Sequence, residues 1–216
     1  MNIEQARFNM IEQQIRPWDV LDKGVLDLLA VVRREDFVPA AYRALAFVDT
    51  EVPLGEGECM LAPRVEARML QELQVQRHER VLEIGAGSGF MAALLGHRAQ
   101  SVISLEIRPD LAKLAADNLR RAGASNVAVV QADGVHGYAA EAPFDAILLS
   151  GSLAKVPADL LGQLKPGGRL LAIEGSEPVM EVVRYTNGPT GIVRVALFDA
   201  NAPRLVGFAE PARFHF

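Results

Sequence analysis

The sequence predicts an α/β fold, a Rossmann-like, doubly wound, mostly parallel sheet with a helical N-terminal cap and a C-terminal β-hairpin. Three observations carry that expectation. From about residue 77 onward, short apolar runs alternate with helical patterns, as in a sheet wound on both faces. The first of these runs, Val81-Leu82-Glu83-Ile84, passes straight into Gly85-Ala86-Gly87-Ser88-Gly89 and then into a helix. Residues 1 to about 50 show helical spacing and none of the strand alternation found later. At 216 residues the chain can bury one good-sized core. One domain over residues 1–216 is expected, with a cap and substrate loop at 1–76, a cofactor-binding core at 77–175 and the hairpin at 176–216.

In the cap, Ala6, Met10, Ile11 and Ile15 recur at helical spacing, leaving Glu4, Arg7, Glu12 and Gln13 for the wet face. Pro17 should end that helix. A second helix from about Asp22 to Val32 puts Val25, Leu28, Leu29 and Val32 on one side, and Ala40 to Leu45 suits a short turn. Residues 46–62 read as a long loop rich in glycine, proline and acid, the kind that often carries function. Pro63 is placed to open the next helix, with Val65, Met69, Leu70 and Leu73 as its core stripe.

After the glycine-rich turn, Ser101 to Leu105 is the second strand, ending in Glu106. A helix from Pro109 to Ala122 follows and stops at Gly123. Asn126 to Val130 is the third strand, with Asp133-Gly134 beyond it. Phe144 to Leu149 is the fourth, followed by Ser150-Gly151-Ser152. A helix near Pro157 to Leu164 and a Lys165-Pro166-Gly167-Gly168 turn lead to the strand Arg169 to Ile173. Val179 to Phe198 reads as a hairpin around Asn187-Gly188 and Gly191. Phe208 and Phe214-His215-Phe216 read as terminal packing.

Composition narrows the function classes. Half the residues are hydrophobic, 23% are charged, and the net charge is -5, which argues against a dedicated nucleic-acid binder. A single cysteine, Cys59, excludes an intrachain disulfide and the zinc-ribbon patterns. The N-terminus lacks the apolar core of a signal peptide, and no apolar run approaches the roughly 18–20 residues that cross a bilayer. A cytoplasmic protein without a membrane partner is expected. His78, His97, His136 and His215 form no metal-spaced cluster, so no metal site is expected.

The residues just beyond each strand carry the chemistry, because open parallel sheets bind ligands at the carboxyl ends of their strands. A dinucleotide fingerprint spaces its glycines G-x-G-x-x-G; here the spacing is G-x-G-x-G, with Glu83 two residues before the first glycine. An anion there repels a pyrophosphate but suits a ligand bearing an ammonium group, which favours S-adenosylmethionine (SAM) over NAD. Glu106, about twenty residues on, can accept hydrogen bonds from ribose hydroxyls, beside Ile107. Asp133 is placed for the exocyclic amine of adenine, and Gly134 permits close backbone approach. Ser150 stands where a methyl group would be handed over. The expected cofactor site is therefore Glu83, Gly85, Gly87, Ser88, Gly89, Glu106, Ile107, Asp133, Gly134 and Ser150.

Further stretches add a resemblance: Arg34-Glu35-Asp36-Phe37-Val38-Pro39, Val52-Pro53-Leu54-Gly55, Asp133-Gly134-Val135-His136-Gly137-Tyr138, Ala142-Pro143-Phe144-Asp145 and Gln163-Leu164-Lys165-Pro166-Gly167-Gly168. In this order, to about residue 175, the chain resembles the protein-L-isoaspartate O-methyltransferases. The resemblance implies SAM as cofactor and, as partner, a damaged protein or peptide whose isoaspartyl carboxylate is methylated to begin repair. In that family the loop before Pro63 carries a hydroxyl-bearing Thr-Ile-Ser segment. This chain has Cys59, Met60 and Leu61 instead, so the hydroxyl position tied to substrate and catalysis is Leu61, and no catalytic residue is carried over.

Leu54, Cys59, Met60, Leu61 and Arg64 are the expected acceptor residues, Arg64 toward a carboxylate. A carboxylate acceptor is already ionised at pH 7 and needs no general base, so positioning and desolvation can supply most of the rate. Cys59 is not read as a nucleophile, since the transfer needs none and Glu56 and Glu58 would raise its pKa. Two alternatives stay open: a same-fold methyltransferase with another acceptor, and a SAM-binding protein that has lost catalysis.

Overall fold

A computed structural model describes residues 2–210. The terminal Phe214-His215-Phe216 lies outside the described residues. The cap begins with α1 (Ile3–Met10), which continues through a π-turn at Ile11–Ile15 and a 3-10 turn at Arg16–Trp18. Asp19, with φ of 60°, ends it just after Pro17. Helix α2 (Lys23–Val31) starts at Asp22, whose carboxylate caps the Val25 amide. The expected apolar stripe is buried.

One cap residue differs from expectation. Arg7 was placed on the wet face but is buried, ion-paired with Glu35. Helical spacing assigns faces by polarity and cannot see a partner 28 residues away.

The segment 46–62 is also more ordered than a loop. Val52–Gly55 (β1) and Glu58–Met60 (β2) form an antiparallel hairpin. Gly55, Glu56 and Gly57 make its turn, all at positive φ. Helix α3 (Pro63–Leu73) follows with Pro63 in its first turn. It buries Met69, Leu70 and Leu73 as expected, leaves Val65 only partly buried, and adds Glu66 to the buried face.

The core alternates β3 (Arg80–Ile84), α4 (Phe90–Arg98), β4 (Ser101–Glu106), α5 (Pro109–Ala122), β5 (Val127–Gln131) and β6 (Phe144–Leu153). It closes with α6 (Ala158–Leu161), β7 (Leu164–Ser176), β8 (Val179–Gly188) and β9 (Gly191–Asp199). The sheet order is β5-β4-β3-β6-β7-β8-β9, parallel from β5 to β7 and antiparallel from there to β9.

Successive strands run outward from β3 to β5, and the chain then returns to the other side of β3 with β6. The strand order therefore reverses between β3 and β6, and a crevice opens there at the carboxyl ends. Two strands overrun their expected bounds. β6 continues through Ser150 to Leu153 across a register irregularity, and β7 absorbs the Lys165–Gly168 turn. Helix α6 spans only four residues of the expected Pro157–Leu164.

Candidate active site

The glycine turn forms the floor of the crevice. Gly85, Gly87 and Gly89 all have positive φ, and the Gly85 amide donates to the Leu105 carbonyl at 2.9 Å. Gly89 is the N-cap of α4, and a Cβ there would stand 3.1 Å from the Ala115 carbonyl oxygen and 3.2 Å from its Cα. Gly89→Ala is therefore expected to cost about 1–3 kcal/mol, read by denaturant unfolding. An unchanged midpoint would contradict the tight packing of α5 on this turn. Ser88 is buried, and its carbonyl accepts from the Asn118 side chain at 2.8 Å, which ties the turn to α5.

Glu83 is fully buried. Its carboxylate accepts from the Ser104 hydroxyl at 2.6 Å and from the Ser150 hydroxyl at 2.8 Å. Burial pushes the carboxyl up to about 8, against those two hydrogen bonds, and Glu66 and Glu106 add to the rise. Glu106 holds the turn from the neighbouring strand. One oxygen accepts the Gly87 amide at 2.8 Å and the other the Arg108 amide at 3.0 Å. Arg108 in turn reaches the β1–β2 hairpin, donating to Glu58 at 2.9 Å and to the Glu56 carbonyl at 3.2 Å. Asp133 stands two residues past β5, where its carboxylate accepts the Val135 amide at 3.0 Å.

All the expected cofactor residues except Gly89 and Asp133 line two small cavities, which share Cys59, Gly85, Gly87 and Ser150. One, of about 60 Å³, is lined by Glu106, Ile107 and Gly134; the other, of about 30 Å³, by Met60, Leu61, Glu66 and Glu83. Leu54 packs its side chain on the glycine turn near Gly87. His136 points to solvent and pairs with Asp159 at 2.9 Å.

Arg64, expected to meet an acceptor carboxylate, already pairs with Asp49 at 2.6 Å and stacks on Trp18. The Cys59 thiol is pushed up to about 12, by burial first and then by Glu51, with Glu66 and Glu58 behind. Glu56, invoked from the sequence, is not among these causes, whereas Glu51 is, because the hairpin pairing brings the start of β1 back beside Cys59. Such a thiol is inert as a nucleophile.

Two parts of the site escaped the sequence reading. The first is a strap after β9. Ser152 and residues 202–205 pair as an added strand: the Ser152 amide donates to the Pro203 carbonyl and the Leu205 amide to the Ser152 carbonyl, both at 2.8 Å. Arg204 fastens the strap to the Gly175 carbonyl at 2.7 Å and to Glu210 at 2.8 Å. Leu205 then lies on Gly85 and Gly151, with Val206 and Phe208 completing the wall of the larger small cavity. Phe208, read as terminal packing, belongs to this wall.

The second part is the buried pair Arg34–Glu66. Arg34 is only 1% exposed, also donates to the Leu61 carbonyl at 2.7 Å and lies over the Phe90 ring. A charge on the apolar stripe of α3 was the sequence signal for it.

A glycine turn at a strand reversal, a buried acid behind it and acids at the next two strand ends suit a cationic nucleoside ligand. The fold is that of the SAM-dependent methyltransferases. A match to the family described as protein-L-isoaspartate(D-aspartate) O-methyltransferase covers residues 5–196. The chain belongs to that family.

Among its relatives, protein-L-isoaspartate O-methyltransferase 1 of Syntrophobacter fumaroxidans is 39% identical over 207 residues, covering 96% of this chain and 97% of its own. The Methanoculleus marisnigri protein-L-isoaspartate O-methyltransferase is 41% identical over 180 residues, covering 83% and 82%. A Plasmodium falciparum chain described as a protein-L-isoaspartate O-methyltransferase, crystallised with S-adenosyl-L-homocysteine, superposes with a TM-score of 0.77 at 22% identity. That superposition covers 94% of this chain and 97% of the other, and it supports the fold. Among the described residues, no helix is long and apolar enough to cross a membrane.

Proposed function

We propose that this methyltransferase acts on the carboxylate of isoaspartyl residues in damaged proteins, with an acceptor pocket built around Leu61 where the family places a hydroxyl. The observation that carries this reading is the position of Leu61. Its side chain lines both the small cavity beside Glu83 and Ser150 and a much larger cleft of about 460 Å³ that opens outward. The acceptor therefore approaches through the cleft and the cofactor from the strand ends, and the two meet at residues 59–61. Relatives named for the isoaspartyl reaction, matched over nearly their whole length, support the choice of acceptor.

When bound, SAM supplies a methyl group on a sulfonium, an electrophile that needs no metal and no covalent enzyme intermediate. Glu83 is the residue proposed to face the ammonium group, Glu106 the ribose and Asp133 with Gly134 the adenine; Gly85 to Gly89 and Ser150 shape the cradle. The chain's remaining work is to orient the acceptor carboxylate and exclude water. Met60 and Leu61, 4% exposed each, do the second directly. The first is weakened by the missing hydroxyl, at a cost comparable to one lost transition-state donor.

Leu61→Ser is accordingly expected to raise kcat/KM for an isoaspartyl peptide roughly 10- to 100-fold. It should also lower folding stability by about 2–4 kcal/mol, because a buried leucine is lost. Labelled-methyl transfer and thermal unfolding read the two effects separately. An unchanged kcat/KM in a folded variant would contradict the hydroxyl argument. If the wild type binds SAM but labels no isoaspartyl peptide, the acceptor assignment fails.

We further propose that cap, core and hairpin fold as one domain in the cytoplasm. In support of a single domain, one apolar cluster joins Met10 and Phe37 of the cap, Phe90 and Leu148 of the core, and Met180 and Val182 of the hairpin.

A further inference from the structure

The 460 Å³ cleft outside Leu61 is walled by the cap, α3 and the C-terminal hairpin, and two arginines from successive turns of α3 line it. Each guanidinium lies over an aromatic ring, Arg64 over Trp18 with its Cζ 4.0 Å from the centroid and Arg68 over Phe198 at 4.3 Å. Stacking of this kind fixes a guanidinium plane and leaves its edge to form hydrogen bonds. Arg64 spends one nitrogen on Asp49. The nearest carboxylate to Arg68 among the described residues is Asp19 at 3.9 Å, and that side chain is 79% exposed.

Buried hydrogen-bonding atoms normally find partners, and exceptions mark a missing water or ligand. Three such exceptions gather here: the Nε atoms of Arg64 and Arg68 and one oxygen of Asp49 are buried without a partner. The wall thus offers spare donors on two cations and one spare acceptor. An extended polypeptide has the matching groups, an amide N–H for Asp49 and an anionic side chain for the arginine edge. Glu51 and Asp199 also line the cleft but are exposed, so they add rim charge, and neither is within ion-pair distance of Arg68, whose Nε stays without a partner.

We infer that Arg68 forms a subsite for an acidic side chain flanking the methylated residue, so that this chain selects acceptor polypeptides with Asp or Glu near the isoaspartate. The inference rests on the acceptor assignment above. Arg68 is here a specificity-determining residue and touches no reacting atom.

The test uses short peptides carrying one isoaspartate, with Glu walked through the flanking positions and each compared with its Gln counterpart. At one position or more, Glu is expected to lower KM roughly tenfold, the scale of a hydrogen bond to a charged group. Arg68→Gln should bring that ratio close to one, and Arg68→Lys should keep most of it, which a merely structural role would not do. In the wild type the ratio should shrink with added salt, a measurement that needs no variant. Trp18 is the sole tryptophan of the chain and lines the cleft, so its fluorescence reads peptide occupancy without turnover.

Equal KM values and equal Trp18 titrations for every Glu and Gln pair would overturn the subsite and leave the acceptor assignment standing. If no peptide is methylated but Trp18 still reports tighter binding of the Glu peptides, the acceptor assignment falls and the anionic subsite stands.

Discussion

Replacing Arg34 with alanine is expected to cost about 3–5 kcal/mol of folding stability, the range seen when one partner of a buried ion pair is removed. The guanidinium holds Glu66, the Leu61 carbonyl and the face of Phe90 at once. Its loss orphans two buried acceptors and opens a cavity. Burial already pushes the Glu66 carboxyl up to about 7, even with Arg34 opposing it. Without Arg34 the carboxyl would take up a proton near neutral pH and soften part of the penalty.

Replacing both partners with apolar residues of similar volume, Arg34→Met with Glu66→Leu, should recover most of the stability. Activity should stay low in that double variant, because the Leu61 carbonyl has lost its tether at the acceptor pocket. Denaturant unfolding of the single and double variants measures both effects. A loss under about 1 kcal/mol for the single variant would mean the pair is not a fastening of the cap.

The second large effect is expected at Glu83. Glu83→Gln should weaken SAM binding about 10- to 100-fold, since a charge-assisted contact to an ammonium group becomes a neutral one. The same variant should be more stable than the wild type above pH 8 in the absence of ligand. The folded chain holds the Glu83 proton up to about pH 8, whereas an unfolded carboxyl releases it near 4.5. Between those values the native state binds more protons, so stability falls as pH rises, and Glu66 acts likewise between 4.5 and about 7. Glutamine at 83 removes its share of the decline. SAM affinity in the wild type should instead improve as pH rises toward 8, because the ligand draws on the ionised form. Calorimetric titrations of both proteins from pH 6 to 9 test this. Parallel pH profiles would show that Glu83 does not meet the amine.

The places of the residues proposed for the cofactor were readable in the sequence because strand ends and backbone conformation fix them. Helix α5 lies where Pro109 and Gly123 place it, and Glu106 ends its strand as expected, with one carboxylate oxygen on the Gly87 amide. The acceptor half was less readable because pairings across the chain build it. Arg34 and Glu66 are 32 residues apart, and neither alternation nor helical spacing encodes such a pairing. Ser150 was read as lying beyond its strand. It sits within β6 because the register irregularity between Leu148 and Ser152 lets the strand continue past the crevice. Residues 202–208 lack any hydrophobic period and fell within the expected hairpin segment 176–216, yet they form the strap at Ser152.

That strap changes what a measured cofactor affinity means. Leu205 rests on the glycine turn itself, and with Val206 and Phe208 it walls the cavity beside Glu106 and Gly134. A ligand that binds only molecules in which the two backbone bonds at Ser152 are broken would show an apparent Kd equal to the intrinsic one divided by the fraction of open molecules. Arrival at the strand ends would then be gated by a single stretch of backbone pairing, and amide exchange at Leu205, whose N–H donates to Ser152, reads how often that pairing opens.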